Sequence, residues 1–444
     1  MKLRLALLIW SAAALPPLSF ASESGGSAAA LQTAEKRGRH IYRHGESKSG
    51  RPITAITGGT ELGAGIFACG TCHGPEGRGV AEGSIEPSDI RGATLGKILL
   101  AARKRPKYDD AKLARAIRDG VDSAGNPLSP VMPRFRMGDD DLNDLIAYLK
   151  RLGDEPQPGL TADSITVTTS VPATRPILEA AFKDLNAEGG IFGRTVKMAD
   201  VPPAAAFAVI GARDGTESAL GEERVPLITP FPTASPLSSS FFLFPDLESQ
   251  VQALAERVGT EGRTIHVVHD GSPAARAAAE SLRAPKTATR GENDLLFLIG
   301  SGVDTKSVLR ELGPWKPRIL LAGAPVAAEV FETAAPVLIA APALPTDVTA
   351  EGRDELNAFT VRHALPPEQL ASQLATVAAV KVFIEGLKRA GRDLTREKLI
   401  ASLEQLYQFP TGLTPPVSYA RNRHMGSTAV HVLRVEGRGL VAVK

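Results

Sequence analysis

The sequence predicts two unlike parts in one chain, a helical domain followed by an α/β domain, and three observations carry that expectation. The chain has 444 residues, more than one hydrophobic core ordinarily organises. Asp154-Glu-Pro-Gln-Pro-Gly-Leu-Thr-Ala162 is a short proline-rich linker. Before it the clearest apolar period is helical; after it short β-rich runs alternate with amphipathic segments. Hydrophobic residues make up 43% and charged residues 23%, the balance of a soluble globular protein. Aromatics at 5% leave little for stacking on nucleic-acid bases.

The N-terminus reads as a targeting segment. Lys2 and Arg4 precede an apolar stretch from Leu5 to Leu15, and Ser19-Phe-Ala21 ends in a small residue, the pattern of a secretory signal peptide over residues 1–21. The apolar stretch is shorter than the ~20 residues a membrane span needs, and Pro16 and Pro17 interrupt it. Cleavage there removes two of 51 basic residues and none of 49 acidic ones, leaving 49 of each. The mature chain is then neutral overall, so any charge argument has to be local.

Both cysteines of the chain lie in Cys69-Gly-Thr-Cys72-His73, the attachment signature of c-type haem. The chemistry sets the spacing: two thiols add to two vinyl groups on one edge of the porphyrin, and the next imidazole reaches the iron. A thioredoxin-like pair would follow a strand and make His73 incidental. A zinc site would need further cysteines or histidines close by. One covalent haem c is therefore expected, with His73 as an iron ligand. A methionine as sixth ligand would favour the ferrous state, and two candidates stand in Val131-Met132-Pro-Arg-Phe-Arg-Met137. His40 and His44 are alternatives for a bis-histidine site. After Met137, Asp139-Asp-Asp141 opens a helix and Lys150-Arg151 then Gly153 close it. Leu142, Leu145, Ile146 and Leu149 give that helix one apolar face.

Met132-Pro133 followed by Gly138-Asp-Asp-Asp-Leu142 and Ala147-Tyr-Leu149 resembles the distal loop and last helix of class I cytochromes c. Ala34 to Gly45, with Gly38, Ile41 and Tyr42, resembles that family's first helix. The resemblance implies an all-α cytochrome c domain over residues 30–155 and gives the ligand role to Met132, leaving Met137 as a packing residue. It also implies electron transfer, with a periplasmic quinoprotein or flavin dehydrogenase as an expected partner. The chain departs from the family by an insertion between Gly45 and the attachment site. Arg103-Lys-Arg105, Lys107, Arg115, Arg118, Arg134 and Arg136 are either a basic rim that steers an acidic partner or ordinary solvated charge.

Beyond the linker, residues 156–162, strands are predicted at Ile165–Val167, Phe207–Ile210, Pro226–Thr229, Thr264–His269, Leu295–Ile299, Ile319–Ala322 and Val337–Ala340. Helices are predicted over 177–186 and 247–258. The alternation indicates a parallel sheet covered on both faces, and Val430–Val435 with Leu440–Val443 reads as a terminal hairpin. His266 and His269 fall on opposite faces of their strand, which argues against a metal there.

Asn186-Ala-Glu-Gly-Gly-Ile-Phe-Gly-Arg194, Val225-Pro-Leu-Ile-Thr-Pro-Phe-Pro-Thr233, Lys388 to Ile400 and Gly412 to Tyr419 resemble the type I periplasmic binding proteins, the group of the leucine-binding receptors. The resemblance covers residues 163–444 and implies an α/β fold of two lobes with a small ligand in the cleft between them. The interval from Arg194 to Phe207 is short for that family, so the first lobe is expected to be trimmed. Thr216, Ser218, Thr229 and Thr233 occupy positions that could hold a ligand carboxylate, or could simply cap helices. Three functions follow as expectations: electron transfer with an appended binding domain, a transporter-type solute receptor or sensor using haem as a redox or gas switch, and a peroxidase-like catalyst. A single attachment motif argues against the last, and the protein is expected not to be an enzyme.

Overall fold

The computed structural model describes residues 31–79, 85–100, 104–155, 157–213, 215–220, 223–233, 236–283, 289–324 and 326–443. The expected signal peptide and Arg103 lie outside these. The first domain holds helices α1 (Thr33–His44), α2 (Cys69–His73), α3 (Gly92–Leu95), α4 (Asp110–Asp119) and α5 (Asp139–Leu149). Helix α1 stops at Gly45, whose φ of 66° suits a left-handed cap. Asp109 caps α4 by accepting from the Lys112 amide. Helices α1 and α5 cross so closely that a Cβ on Gly38 would lie 2.0 Å from the Asp144 carbonyl oxygen. Arg37 clamps the crossing with a 2.5 Å pair to Asp144. Beneath it Ile41, Tyr42, Leu145, Tyr148 and Leu149 are buried in one core.

The domain is not all-α. Strands β1 (Thr54–Thr57), β2 (Thr60–Gly63) and β3 (Arg134–Arg136) form a three-stranded antiparallel sheet in the order β2-β1-β3. The inserted segment after Gly45 supplies the hairpin, and β1 pairs Ala55 with Phe135 beyond the distal loop. Ala55 and Phe135 are both buried in the domain core, so the insertion is held by apolar burial as well as by its ladder.

The second domain is α/β with two sheets. The first lobe contains β4 (Ser164–Thr168), α6 (Arg175–Ala187), β5 (Thr195–Met198), β6 (Ala208–Ile210), β7 (Leu227–Thr229) and β8 (Ser240–Phe242). Its five parallel strands run β5-β4-β6-β7-β8. Between β5 and β6 stands only a short 3-10 turn, Pro203–Ala205, so that crossover carries no α-helix. The second lobe contains α7 (Leu247–Val258), β9 (Ile265–His269), α8 (Pro273–Ser281), β10 (Leu295–Ile299), α9 (Thr305–Arg310), β11 (Arg318–Ala322) and β12 (Val337–Ala341). The chain then returns to the first lobe through α10 (Ala350–Arg362), α11 (Leu370–Ala390) and α12 (Arg396–Leu403), and finishes as β13 (His431–Glu436) and β14 (Gly439–Ala442) on the second sheet. Helix α11 is long and apolar enough to cross a membrane, but Val377, Val380, Phe383 and Leu387 are buried against α6 and α12 in the first lobe's core.

The lobes are joined where β8 leads into α7, where β12 leads to α10, and where the chain passes from Tyr419 to β13. The first two crossings leave from the C-terminal ends of strands, so those ends of the two sheets face each other. The cytochrome-like domain sits at the opposite pole of the first lobe. Arg39 on α1 pairs with Glu223 ahead of β7 at 2.7 Å. Thr395 ahead of α12 donates to Glu76 at 2.6 Å. Arg396, almost wholly buried, donates to the carbonyls of Ala204 at 2.9 Å and of Ala206 ahead of β6. The linker is laid against this pole: a Cβ on Gly159, whose φ is 77°, would lie 2.1 Å from the Phe207 amide nitrogen.

Candidate haem site

Helix α2 carries the attachment motif and is tied to α1 by the Tyr42 hydroxyl, which donates to the Gly74 carbonyl at 2.6 Å. Tyr42 also leaves little room at position 70, where a Cβ would lie 3.3 Å from its ring. His73 directs Nδ1 at the Ser88 carbonyl, 2.9 Å away. That bond places the proton on Nδ1 and leaves the Nε2 lone pair for a metal. Burial holds the imidazole below its ordinary pKa, which favours the neutral form that a metal would need. Burial pushes the Cys69 thiol up to about 12, the reverse of the activated thiolate of a redox pair.

Cys69 and His73 open onto a cavity of ≈ 390 Å³ whose walls are chiefly apolar, among them Leu95, Leu113, Ile117, Phe135, Leu145 and Leu149. Met132 lies on the same cavity. Met137 instead packs half-buried against the domain core. His40 and His44 lie against each other along α1 with ring centroids 4.7 Å apart and the rings tilted by 39°, and neither lines the cavity. The donor set therefore fits haem: the Cys69 thiol and the His73 imidazole at one wall with the exposed Cys72 one helical turn along the same motif, a thioether at another wall, and apolar side chains between.

Several members of the expected basic rim are structural. Arg105 is buried in the cavity wall, donates to the carbonyls of Thr94 and Pro106, each at 3.3 Å, and stacks over the Tyr108 ring at 4.7 Å. A buried guanidinium there suits the carboxylates of a haem. Arg115 donates to the Asp122 carbonyl at 2.8 Å. Arg118 reaches Asp139 at 2.7 Å, and Arg134 folds over the distal loop. Lys104 and Lys107 remain exposed, and Arg136 pairs with Glu61. Ser88 had no signal in the sequence, since it offers only a backbone carbonyl, and Arg105 stood out only as one member of the expected basic rim, not as a cavity wall.

In the second domain the four hydroxyl residues do not converge. Thr216 is buried, bonds Ser170 at 2.7 Å and donates to the Arg213 carbonyl at 2.6 Å. Thr229 accepts from the Ala212 amide at 3.2 Å. Thr233 donates to the buried carboxylate of Glu217. Ser218 is exposed. Three of the four hydroxyls thus stitch the loops after β4, β6 and β7 together.

Residues 60–153 match the family model described as cytochrome c, and residues 298–439 match that described as periplasmic binding protein. The chain carries a cytochrome c domain, which implies covalent haem c, followed by a periplasmic-binding-protein domain. Among solved structures, a branched-chain amino acid ABC transporter protein from Thermus thermophilus, with bound valine, aligns with a TM-score of 0.50 at 14% identity, over 64% of this chain and 96% of its own. A possible leucine/isoleucine/valine-binding protein from Rhodopirellula baltica aligns at 0.47 and 14%, over 64% and 97%. A fatty acid ABC transporter substrate-binding protein from Thermomonospora curvata aligns at 0.47 and 14%, over 65% and 93%. These likenesses are of fold. No curated protein matches the chain.

Proposed function

We propose that the protein is a periplasmic one-electron carrier with a single haem c, to which a binding-protein domain is attached for a small ligand or for docking a partner. The convergence of Cys69, His73 and Met132 on one apolar cavity carries this proposal. Haem, when bound, supplies a one-electron couple at its iron. Cys69 and Cys72 would hold it through thioethers. His73, oriented by Ser88, and Met132 would hold the iron, and the soft Met132 sulfur would favour the ferrous state. The apolar walls would keep water from the iron and limit reorganisation around it. Cys72 is exposed, so the attachment edge is the side at which a donor such as a quinoprotein or flavin dehydrogenase would approach. Loss of residues 1–21 on export would leave the mature chain in the periplasm. Thr216, Ser218, Thr229 and Thr233 are the groups that would face a ligand carboxylate, Thr216, Thr229 and Thr233 only by giving up internal bonds.

A second role, a solute receptor with haem as a switch, draws support from the charged contact between the domains. Arg39, Arg43 and Arg396 there meet Glu155, Glu223 and Glu397. Absorption spectra of ferrous protein with and without carbon monoxide separate the carrier from the gas-switch form of this role, and the ligand affinity of the oxidised against the reduced protein separates it from the redox-switch form. A six-coordinate carrier is indifferent to the gas, whereas a gas sensor shifts at once.

A further inference from the structure

Arg134 follows Met132-Pro133 directly, yet its guanidinium is turned back onto the loop it has just left. Nη1 donates to the Met132 carbonyl and lies 3.5 Å from the Ser129 carbonyl. Nη2 donates to the Leu128 carbonyl at 3.2 Å. The fork thus gathers carbonyls from both ends of the loop, and Leu128 and Met132 both line the haem cavity.

Two further features hold the fork in place. Gly120, at the end of α4 with φ of 67°, leaves the space the guanidinium uses: a Cβ there would lie 1.7 Å from Arg134 Nε. The Gly120 carbonyl also accepts from the Leu128 amide at 2.7 Å, which ties the loop to the same spot. Behind, Arg134 is paired through its backbone to Ile56 of the inserted hairpin. Within the loop itself the bonds are few, namely Met132 amide to Ser129 carbonyl at 3.1 Å and Val131 amide to Ser129 Oγ at 3.3 Å. One tight turn cannot fix a loop that must hold a thioether against a metal, and a planar fork making charge-assisted bonds can.

We propose that Arg134 is the positioning residue for the sixth iron ligand, clamping Leu128 to Met132 at the wall of the haem cavity while β1 braces it from behind. This rests on the haem-site proposal above and goes beyond it by naming what keeps Met132 in place.

The test uses the full chain matured in a host with haem-attachment machinery, as wild type, Arg134→Ala and Arg134→Lys. Arg134→Ala should keep covalent haem, seen by haem staining after denaturation, but lose the methionine-to-iron absorption band of the oxidised protein. Its ferrous form should bind carbon monoxide at least about tenfold more readily, the change expected from losing one charge-assisted hydrogen bond. Arg134→Lys keeps the charge but not the fork and should fall between. A wild-type-like band and indifference to carbon monoxide in Arg134→Ala would overturn the proposal, as would loss of covalent haem together with the band, which would make Arg134 a folding residue. If Arg134→Ala does not accumulate, Arg134→Lys decides by the same band. A wild type without covalent haem or without the band would instead overturn the haem-site proposal itself.

Discussion

The haem cavity and the facing ends of the two binding-domain sheets use similar numbers of polar groups to opposite effect. In the cavity, groups distant in sequence are aimed at a common space: Cys69 and His73 from α2, Met132 from the distal loop, Arg105 from the wall. Their own hydrogen bonds, such as His73 to Ser88, orient them and leave the ligating atoms available. At the strand ends of the first lobe, the hydroxyls of Thr216, Thr229 and Thr233 bond one another's loops. A polar group satisfied internally adds rigidity, and it binds a ligand only by exchanging one bond for another. The difference separates a site built for a permanent group from loops whose first task is to hold a sheet edge together.

Substitutions break this contrast at different depths. The largest effect belongs to Cys69→Ala with Cys72→Ala, which should abolish covalent haem altogether, as read by haem staining on a denaturing gel. Next, Met132→Ala should remove the methionine-to-iron band and open the ferrous form to carbon monoxide, while Met137→Ala leaves both unchanged; the opposite pattern would transfer the ligand role to Met137. Away from the haem, Arg396→Met leaves the carbonyls of Ala204 and Ala206 without their donor and Glu223 with Arg39 alone. It should cost about 3 kcal/mol in denaturant unfolding. Thr216→Val removes its bonds to Ser170 and Arg213 and should cost about 1 kcal/mol, with the haem spectrum untouched.

The smallest effect is in pH dependence, where two carboxyls act with opposite sign. Burial raises the pKa of Glu397 against the pull of Arg43. Its contribution to stability is full below its unfolded value and is lost as pH rises through the folded one. Asp184 is the reverse: burial opposes ionisation, but hydrogen bonds from His363 and Arg362 bring its pKa below the ordinary value. Its contribution is present above the unfolded value and lost as pH falls through the folded one. Glu397→Gln should therefore flatten the decline in stability from acid toward neutral pH, and Asp184→Asn should flatten the acid limb. Unfolding midpoints measured across that range decide both.

The parts legible in the sequence are those fixed by local pattern or by covalent chemistry. The Cys69 to His73 motif, the apolar face of α5, the buried runs that became β10 and β12, and the terminal hairpin all announce themselves within a few residues. The missed elements depend on distant partners. Strand β1, Thr-Ala-Ile-Thr, buries only Ala55 and is a strand because Phe135, far along the chain, pairs with it. Strand β5 buries only Val196, and β8 follows a proline- and serine-rich stretch that hides its start. The site divides the same way. Cys69, Cys72 and His73 stood out by residue type and spacing and Met132 by the family resemblance, but Ser88 contributes a carbonyl that any residue could offer. Arg105 and Arg134 were indistinguishable from surface charge until the backbone around them was known.

The most direct test is the absorption spectrum of exported protein, oxidised and then reduced, before and after carbon monoxide. A methionine-to-iron band when oxidised, with sharp ferrous bands that carbon monoxide leaves in place, is the result expected of Cys69, Cys72, His73 and Met132 closing a six-coordinate electron-transfer haem. An immediate shift of the ferrous bands on adding the gas, with no such band beforehand, would mean an open iron and contradict it.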